Sequence, residues 1–466
     1  MNVEIKNTGH SSHPSTGGDG EGSFSYSPPP EEMVEPSVRR IAFKTLGCRL
    51  NQYETDALVS DFDKAGYRVV DFKEPADVVV VNTCTVTNQS DQKSRNMISQ
   101  AARNNQGSVV VVTGCMANNY KEKLEGEDKI TYVVENNRKG SILNLVDAHF
   151  GGELLHPKQL HADVFQFHAV DKSLHTRSAI KIQDGCDNFC TFCIIPSVRG
   201  RAISRPIPEI IENVRDTLAN GFKELVLTGV NIGRYEWEGK RFEDVVEAIL
   251  HVEGDFRLRI SSLEPDGFTD DFLRLFDHPK LTPHLHLCLQ SGSDRVLLRM
   301  RRMYDLAQFE HTIKLFRTKY PDFNFTTDMI VGFPDETEEE FEASVDAVKR
   351  LGFGHVHTFK YSVRRGTRAE RMENHLSEKE KNARSARLRE ASEDSRETFL
   401  QSFIGKTQTV LIEGIDGRGV ANGYGEHYVP VRFKANGLTK NTFQRVKLLH
   451  VEGRGEDAYV RGELVI

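Results

Sequence analysis

Between residue 39 and about residue 150, short β-branched runs alternate with stretches whose apolar residues recur at helical spacing. Residues 41–46, 77–81 and 108–113 read as strands, and residues 53–65 and 89–104 as helices. Buried strands separated by helices predict an open parallel sheet. Residues 173–375 repeat the strand–helix unit six times, with strands at 179–183, 224–228, 257–261, 284–290, 324–330 and 355–361. Six such units predict a partial or full α/β barrel with its active residues at the C-terminal strand ends. A charged helix is expected at 378–403, opened by Ser377 and Glu380 in capping-box spacing. The period then changes: short strands at 407–413, 427–433, 444–451 and 458–464, punctuated by glycine, predict a small antiparallel barrel.

The chain thus reads as a multidomain α/β protein. An N-terminal open parallel α/β sheet spans 39–150, a connector 151–172, a central (β/α)6 partial barrel 173–402 and a small β-barrel 403–466. Residues 1–38, rich in Gly, Ser, His and Pro, carry no hydrophobic period and are expected to be disordered. The apolar runs are far too short to span a bilayer, so no membrane partner is expected. A net charge of −7 excludes a wholesale basic coat and leaves any nucleic-acid contact to local patches.

Seven cysteines, an odd number spaced for clusters, fit a reducing, cytoplasmic setting. Cys186, Cys190 and Cys193 form a C-x-x-x-C-x-x-C array directly after the first barrel strand. Three thiolates can hold three corners of an iron–sulfur cube and leave one iron open to another ligand. Zinc would more often close with a fourth Cys or His, and the array contains no histidine. Cys48, Cys84 and Cys115 each follow a predicted strand of the N-terminal sheet, which delivers three more thiols to one carboxyl edge. A second three-thiolate cluster is the sharper reading there, with zinc or a redox set as alternatives. His284, His286 and Cys288 share one face of the fourth barrel strand. With no carboxylate in the same local register, polar lumen packing or cofactor contact is preferred to zinc, and Cys288 is taken as structural. His156, His161, His168 and His175 lack ligand spacing and are read as surface residues.

The Cys186–Cys193 array resembles the cluster motif of the radical S-adenosylmethionine (SAM) superfamily, in which the open iron chelates SAM. Phe192 matches the aromatic position that packs on the SAM adenine there. The upstream cysteine trio, the six barrel units and the β tail extend the resemblance to the methylthiotransferase family, from about Arg40 to Ile466. The stretch Leu46-Gly47-Cys48 with Asn51-Gln52-Tyr53-Glu54-Thr55 is closest to the branch acting on N6-threonylcarbamoyladenosine in tRNA. Leu289-Gln290-Ser291-Gly292-Ser293 and Asp328 to Pro334 also look like family barrel motifs, and the tail is similar to a TRAM RNA-binding domain.

The resemblance implies two 4Fe-4S clusters. One, on Cys186, Cys190 and Cys193, would cleave SAM; an auxiliary one, on Cys48, Cys84 and Cys115, would supply the sulfur. A methylthio group would replace the hydrogen on carbon 2 of adenosine 37, beside the anticodon, with SAM used both as methyl donor and as radical source. No side-chain acid or base is nominated, because the cofactor carries the chemistry. Gly229, Asn231, Ser262, Glu264, Gln290 and Asp328, at or near strand ends, are candidate SAM contacts. Arg295, Arg299, Arg301 and Arg302 form one basic run, and Arg364, Arg365 and Arg368 another, both candidates for RNA phosphates. In the tail, Arg432 and Lys434 lie with Lys440, Arg445 and Lys447 among Phe403, Tyr424, Tyr428, Phe433 and Phe443, which suits phosphate contact with base stacking. Implied partners are a tRNA anticodon stem-loop, an electron donor such as flavodoxin or ferredoxin, and a sulfur source. The competing expectations are methylthiolation of isopentenyladenosine or of a ribosomal-protein aspartate, and a non-catalytic RNA-binding metalloprotein.

Overall fold

The computed structural model describes residues 38–171 and 176–465. The disorder expected of the N-terminal extension and the position of His175 therefore lie outside the described residues. Among those described, no helix is long and apolar enough to cross a membrane.

The N-terminal sheet has five parallel strands in the order Arg68–Val70, Arg40–Thr45, Val78–Thr83, Val109–Gly114, Tyr132–Val134. Two of the central strands read VVVVNT and VVVVTG, and every residue in them is buried. Their side chains alternate between faces. Val78, Val80, Val109 and Val111 pack with Ala57, Leu58 and Phe62 of the helix Arg49–Lys64. Val79, Val81, Val110 and Val112 pack with Ile98 and Ala101 of the helix Asn88–Asn104. In sequence order the strands run 2-1-3-4-5. Direction reverses between Arg40–Thr45 and Val78–Thr83, and such a switch opens a crevice at the carboxyl edge. The two outer strands, three residues each, had no distinct run in the pattern.

Six parallel strands follow one another in an open arc: Arg177–Lys181, Glu224–Thr228, Arg257–Ile260 continued by Ser262–Leu263, His284–Leu287, Asn324–Val331 and His355–Lys360. The expected partial barrel is present, and its fourth strand ends earlier than the hydrophobic pattern suggested. One apolar core runs from the N-terminal sheet, through Leu160, Phe167 and Val170 of the connector, into the barrel. The helix Glu378–Gln401 opens with the expected capping box of Ser377 and Glu380. It lies along the last barrel strand, where Ser392 receives a bond from Val356 N and Ser395 donates to Phe353 O.

The C-terminal barrel is closed, in the order Thr407–Ile415, Val420–Tyr424, Pro430–Lys434, Tyr459–Leu464, Phe443–Glu452. It departs from the antiparallel expectation in one place, because Val431 and Arg432 pair in parallel with Val460 and Arg461. The strand Val420–Tyr424 went unrecognised in the sequence because of its glycine. A Cβ at Gly423 would stand 1.9 Å from Leu411 O, so the close strand approach requires glycine.

Candidate functional site

Cys84 and Cys115 come directly after the strands Val78–Thr83 and Val109–Gly114, and Cys48 follows Arg40–Thr45 by three residues. All three lie at the carboxyl edge, with Cys48 and Cys84 flanking the switch point. Gly47 sits at φ +98°, and a Cβ there would be 2.8 Å from Cys84 Cβ; this left-handed turn brings the two cysteine loops together. Asn51 fastens them further by donating to Leu46 O at 2.8 Å and Thr83 O at 3.0 Å. Cys48 is exposed, whereas Cys84 and Cys115 are buried. Burial pushes the Cys84 thiol up, and nearby Cys48 pushes it further. The Cys115 thiol is raised by burial and by both other sulfurs. The three sulfurs thus feel one another.

The second trio lies in a loop framed by the short antiparallel pair Gln183–Asp184 and Ile203–Ser204. Backbone bonds from Cys186 N to Gly200 O and from Cys193 N to Cys190 O fold the loop on itself. Thr191 anchors it to Met300 O and Arg299 O. Burial raises the Cys186 thiol and pushes Cys193 up to about 12. Gln183 Oε1 accepts from the backbone N–H groups of Val230 and Asn231, which brings Gly229 and Asn231 beside the loop. Asn231 Nδ2 lies 4.0 Å from Cys186 Sγ. Glu264 accepts from Asn188 at 2.8 Å and pairs with Arg302 at 2.9 Å. Gln290 holds φ +70°, bonded through its backbone to Asp328 O and Ile330 N. Phe192 packs edge-on against Phe333, with centroids 6.3 Å apart.

Among the described residues, His286, Cys288 and Asp328 alone form a His/Cys/Asp/Glu group whose ligand atoms all lie within 4.8 Å. Tetrahedral zinc with Zn–S bonds of about 2.3 Å would need sulfurs roughly 3.8 Å apart. Neither cysteine trio has all its sulfurs within 4.8 Å of one another, and an all-thiolate donor set is the one iron–sulfur clusters take. Strand five supplies the carboxylate that was missing from the local register: Asp328 lies 3.3 Å from His286 Nε2. Cys288 is therefore part of a polar group in the lumen, rather than the purely structural residue expected.

A buried charge network joins the two cysteine-bearing elements. Glu54, one helical turn and a half beyond Cys48, is fully buried and pairs with Lys139, with Lys181 at 2.9 Å and with Arg199 at 3.0 Å. Asp184, two residues before Cys186, pairs with Lys181 at 2.7 Å and Arg199 at 2.9 Å. Burial alone would raise Glu54, but Arg199, Lys139 and Lys181 together hold its carboxyl well below the usual range. Beside the network, Cys115 packs with Ile194 and Val198, and Asn136 donates to Val198 O. The two cysteine-bearing elements are consequently packed directly against each other.

Beside Cys48, a cavity of about 550 Å³ runs down the lumen, past Gly229 and Ser262 to Tyr424 and Tyr428 of the C-terminal barrel. Four histidines line it. His284 stacks on Tyr428 with centroids 4.8 Å apart, and His355 Nε2 lies 3.1 Å from His357 Nδ1. Burial, reinforced by His357, lowers His355 to about 3, and burial lowers His284 and His357 as well. His355 and His357 repeat the i, i+2 spacing of His284 and His286, a signal that was available in the sequence and passed over.

The basic runs divide. Arg295, Arg301, Arg365, Arg368 and Lys434 are exposed, as is Arg432, whose guanidinium lies 4.0 Å from the Tyr459 ring centre. Three others are turned inward and are corrected here. Arg302 donates to Cys190 Sγ at 3.1 Å, so it serves the cysteine loop. Arg299 is engaged by both oxygens of Glu340. Arg364 is buried against Thr85 O and Asp91, pinning the loop after Cys84. The tail aromatics are largely committed too: Phe403 and Phe433 are core residues, and Tyr424 and Tyr428 stack on each other beneath Arg177.

A parallel arc carrying a C-x-x-x-C-x-x-C loop at the end of its first strand is the architecture of a radical SAM protein. Residues 180–348 match the Radical SAM superfamily, and residues 40–135 match a family described as Uncharacterized protein family UPF0004. The chain is 34% identical over 419 residues to the threonylcarbamoyladenosine tRNA methylthiotransferase MtaB of Thermotoga maritima, covering 89% of this chain and 96% of the relative. It is 36% identical to that of Bacillus subtilis, over 88% of this chain and 93% of the relative. To a tRNA-2-methylthio-N(6)-dimethylallyladenosine synthase of Fusobacterium nucleatum it is 33% identical, over 88% and 97%. The fold is shared with the radical SAM methyltransferase TsrM of Kitasatospora setae, with a TM-score of 0.52 at 17% identity over 69% of this chain and 73% of that one. The chain belongs to the radical SAM methylthiotransferase family.

Proposed function

We propose that this protein inserts a methylthio group at carbon 2 of N6-threonylcarbamoyladenosine 37 in tRNA. The observation that carries the reading is that the two cysteine-bearing elements are joined by one buried network of Glu54, Arg199 and Asp184, with Cys48 lining the barrel cavity. Cys186, Cys190 and Cys193 would hold the SAM-binding 4Fe-4S cluster, and Cys48, Cys84 and Cys115 the auxiliary one. When bound, the first cluster with SAM would supply the radical that removes hydrogen from carbon 2, the auxiliary cluster the sulfur, and a further SAM the methyl group.

The chain's own residues bind, orient and exclude water. Arg302 donates to Cys190 Sγ and so fixes the position of that ligand in the loop. Asn231 and Glu264 line the cysteine loop with one donor and one acceptor, suited to the ammonium and carboxylate of SAM. The lumen wall of four histidines and Asp328 offers hydrogen-bond donors and acceptors to a bound substrate. Exposed Arg295, Arg301, Arg365, Arg432 and Lys434 remain as phosphate contacts for the anticodon stem-loop. An electron donor and a sulfur source complete the partners. The branch is favoured over the isopentenyl one by its opening motif and by the two MtaB relatives described above.

Anaerobic reconstitution tests the reading. About eight irons per chain are expected for two cubes, with conversion of a threonylcarbamoyladenosine stem-loop to its 2-methylthio form. Zinc in their place, with no SAM cleavage under a reductant, would refute it.

A further inference from the structure

The lumen cavity is lined by two guanidinium groups that form no direct ion pair among the described residues. Arg49, the residue after the cluster cysteine Cys48, is exposed to the cavity and its side chain makes one hydrogen bond, to Tyr428 Oη at 3.4 Å. It also occupies the first turn of the 16-residue helix Arg49–Lys64, where the helix dipole disfavours a cation unless an anion sits beside it. Arg396, which also lines the cavity, donates to Gly354 O at 3.2 Å and Ala458 O at 3.1 Å, and its Nε is buried without a partner. Among the described residues neither is ion-paired. Of the carboxylates that share the cavity, Asp328 is held by His286, and exposed Glu456 acts on Arg396 through its charge without forming a direct ion pair.

Arg396 is half-buried and Arg49 exposed, and a carboxylate is the group that guanidiniums free of a salt bridge match best. We propose that Arg49 and Arg396 hold the free carboxylate of the substrate's N6 substituent and so select an adenosine bearing an acidic side group. The proposal rests on the function inferred above and sharpens its specificity. Carbons 2 and 6 of adenine flank the same ring nitrogen. A group on N6 therefore stays close to the carbon that receives sulfur, and a cation adjacent to Cys48 is within its reach. An isopentenyl group would leave both guanidiniums unpaired and bury its apolar surface against polar walls.

The test uses the reconstituted holoenzyme and two stem-loop RNAs, one with threonylcarbamoyladenosine and one with its carboxylate masked as the methyl ester. Binding is read by fluorescence anisotropy and turnover by nucleoside mass spectrometry. The wild type should favour the acid by about 10- to 100-fold, the worth of a charge-assisted hydrogen bond. Arg49→Gln and Arg396→Gln should each move that ratio toward one, and Arg49→Lys should keep part of it. Equal binding and turnover of acid and ester by the wild type would overturn the proposal while leaving the function intact. So would variants that lose both substrates in equal proportion. Modification of isopentenyladenosine RNA alone would overturn the function and the proposal together. Arg49 is exposed, so its variants remain informative should Arg396→Gln fail to fold.

Discussion

Replacing Glu54 by glutamine probes the joint between the two halves of the site. The network holds two carboxylates, Glu54 and Asp184, against three cations, Lys139, Lys181 and Arg199, all buried. Removing the Glu54 charge leaves Asp184 alone among three cations in a region that water does not reach. Breaking one partner out of a buried pair costs about 3–5 kcal/mol, a large part of the roughly 5–15 kcal/mol that holds an ordinary domain together. Lys139→Met is the informative contrast, because it leaves two carboxylates facing two cations and should cost distinctly less. Denaturant unfolding of the reduced, metal-free variants supplies the stabilities, and hydrogen exchange locates the loosening. Glu54→Gln should raise exchange in residues 185–201 as well as in the N-terminal helix. A Glu54→Gln protein as stable as wild type, with Lys139→Met the weaker of the two, would refute the charge reasoning.

Three further outcomes follow from the geometry. Cys190→Ala should abolish SAM cleavage, whereas Cys84→Ala should permit uncoupled cleavage and stop methylthio insertion; full insertion by the Cys84 variant would remove the auxiliary assignment. Gly47→Ala demands a strained positive φ and a Cβ 2.8 Å from that of Cys84, so iron content should fall by about half while the barrel cluster's SAM cleavage persists. Because burial raises the Cys84, Cys115, Cys186 and Cys193 thiols, cluster loading must displace protons. Loading at fixed free iron should therefore weaken as pH falls, by about tenfold per unit for each proton released, and a cluster-absorbance titration at two pH values checks the sign.

The parts of the site legible in the sequence were those encoded locally. Each cysteine ends its own strand, so one-dimensional spacing sufficed to place Cys48, Cys84 and Cys115 on one sheet edge and Cys186 at a barrel mouth. What escaped depends on residues far apart in the chain. Glu54 and Arg199 are 145 positions apart, and nothing in either neighbourhood announces a buried pair. Arg302 and Arg364 read as surface charges because a basic run looks the same whether its members face solvent or fold inward. The strand at Val420–Tyr424 was hidden by Gly423, whose missing side chain is what lets two strands approach.

The most direct test of the central claim is nucleoside mass spectrometry of tRNA from cells lacking this protein. The 2-methylthio form of threonylcarbamoyladenosine should disappear, its unmodified parent should accumulate, and the isopentenyl counterpart should be unchanged. Persistence of the first with loss of the last would contradict the account.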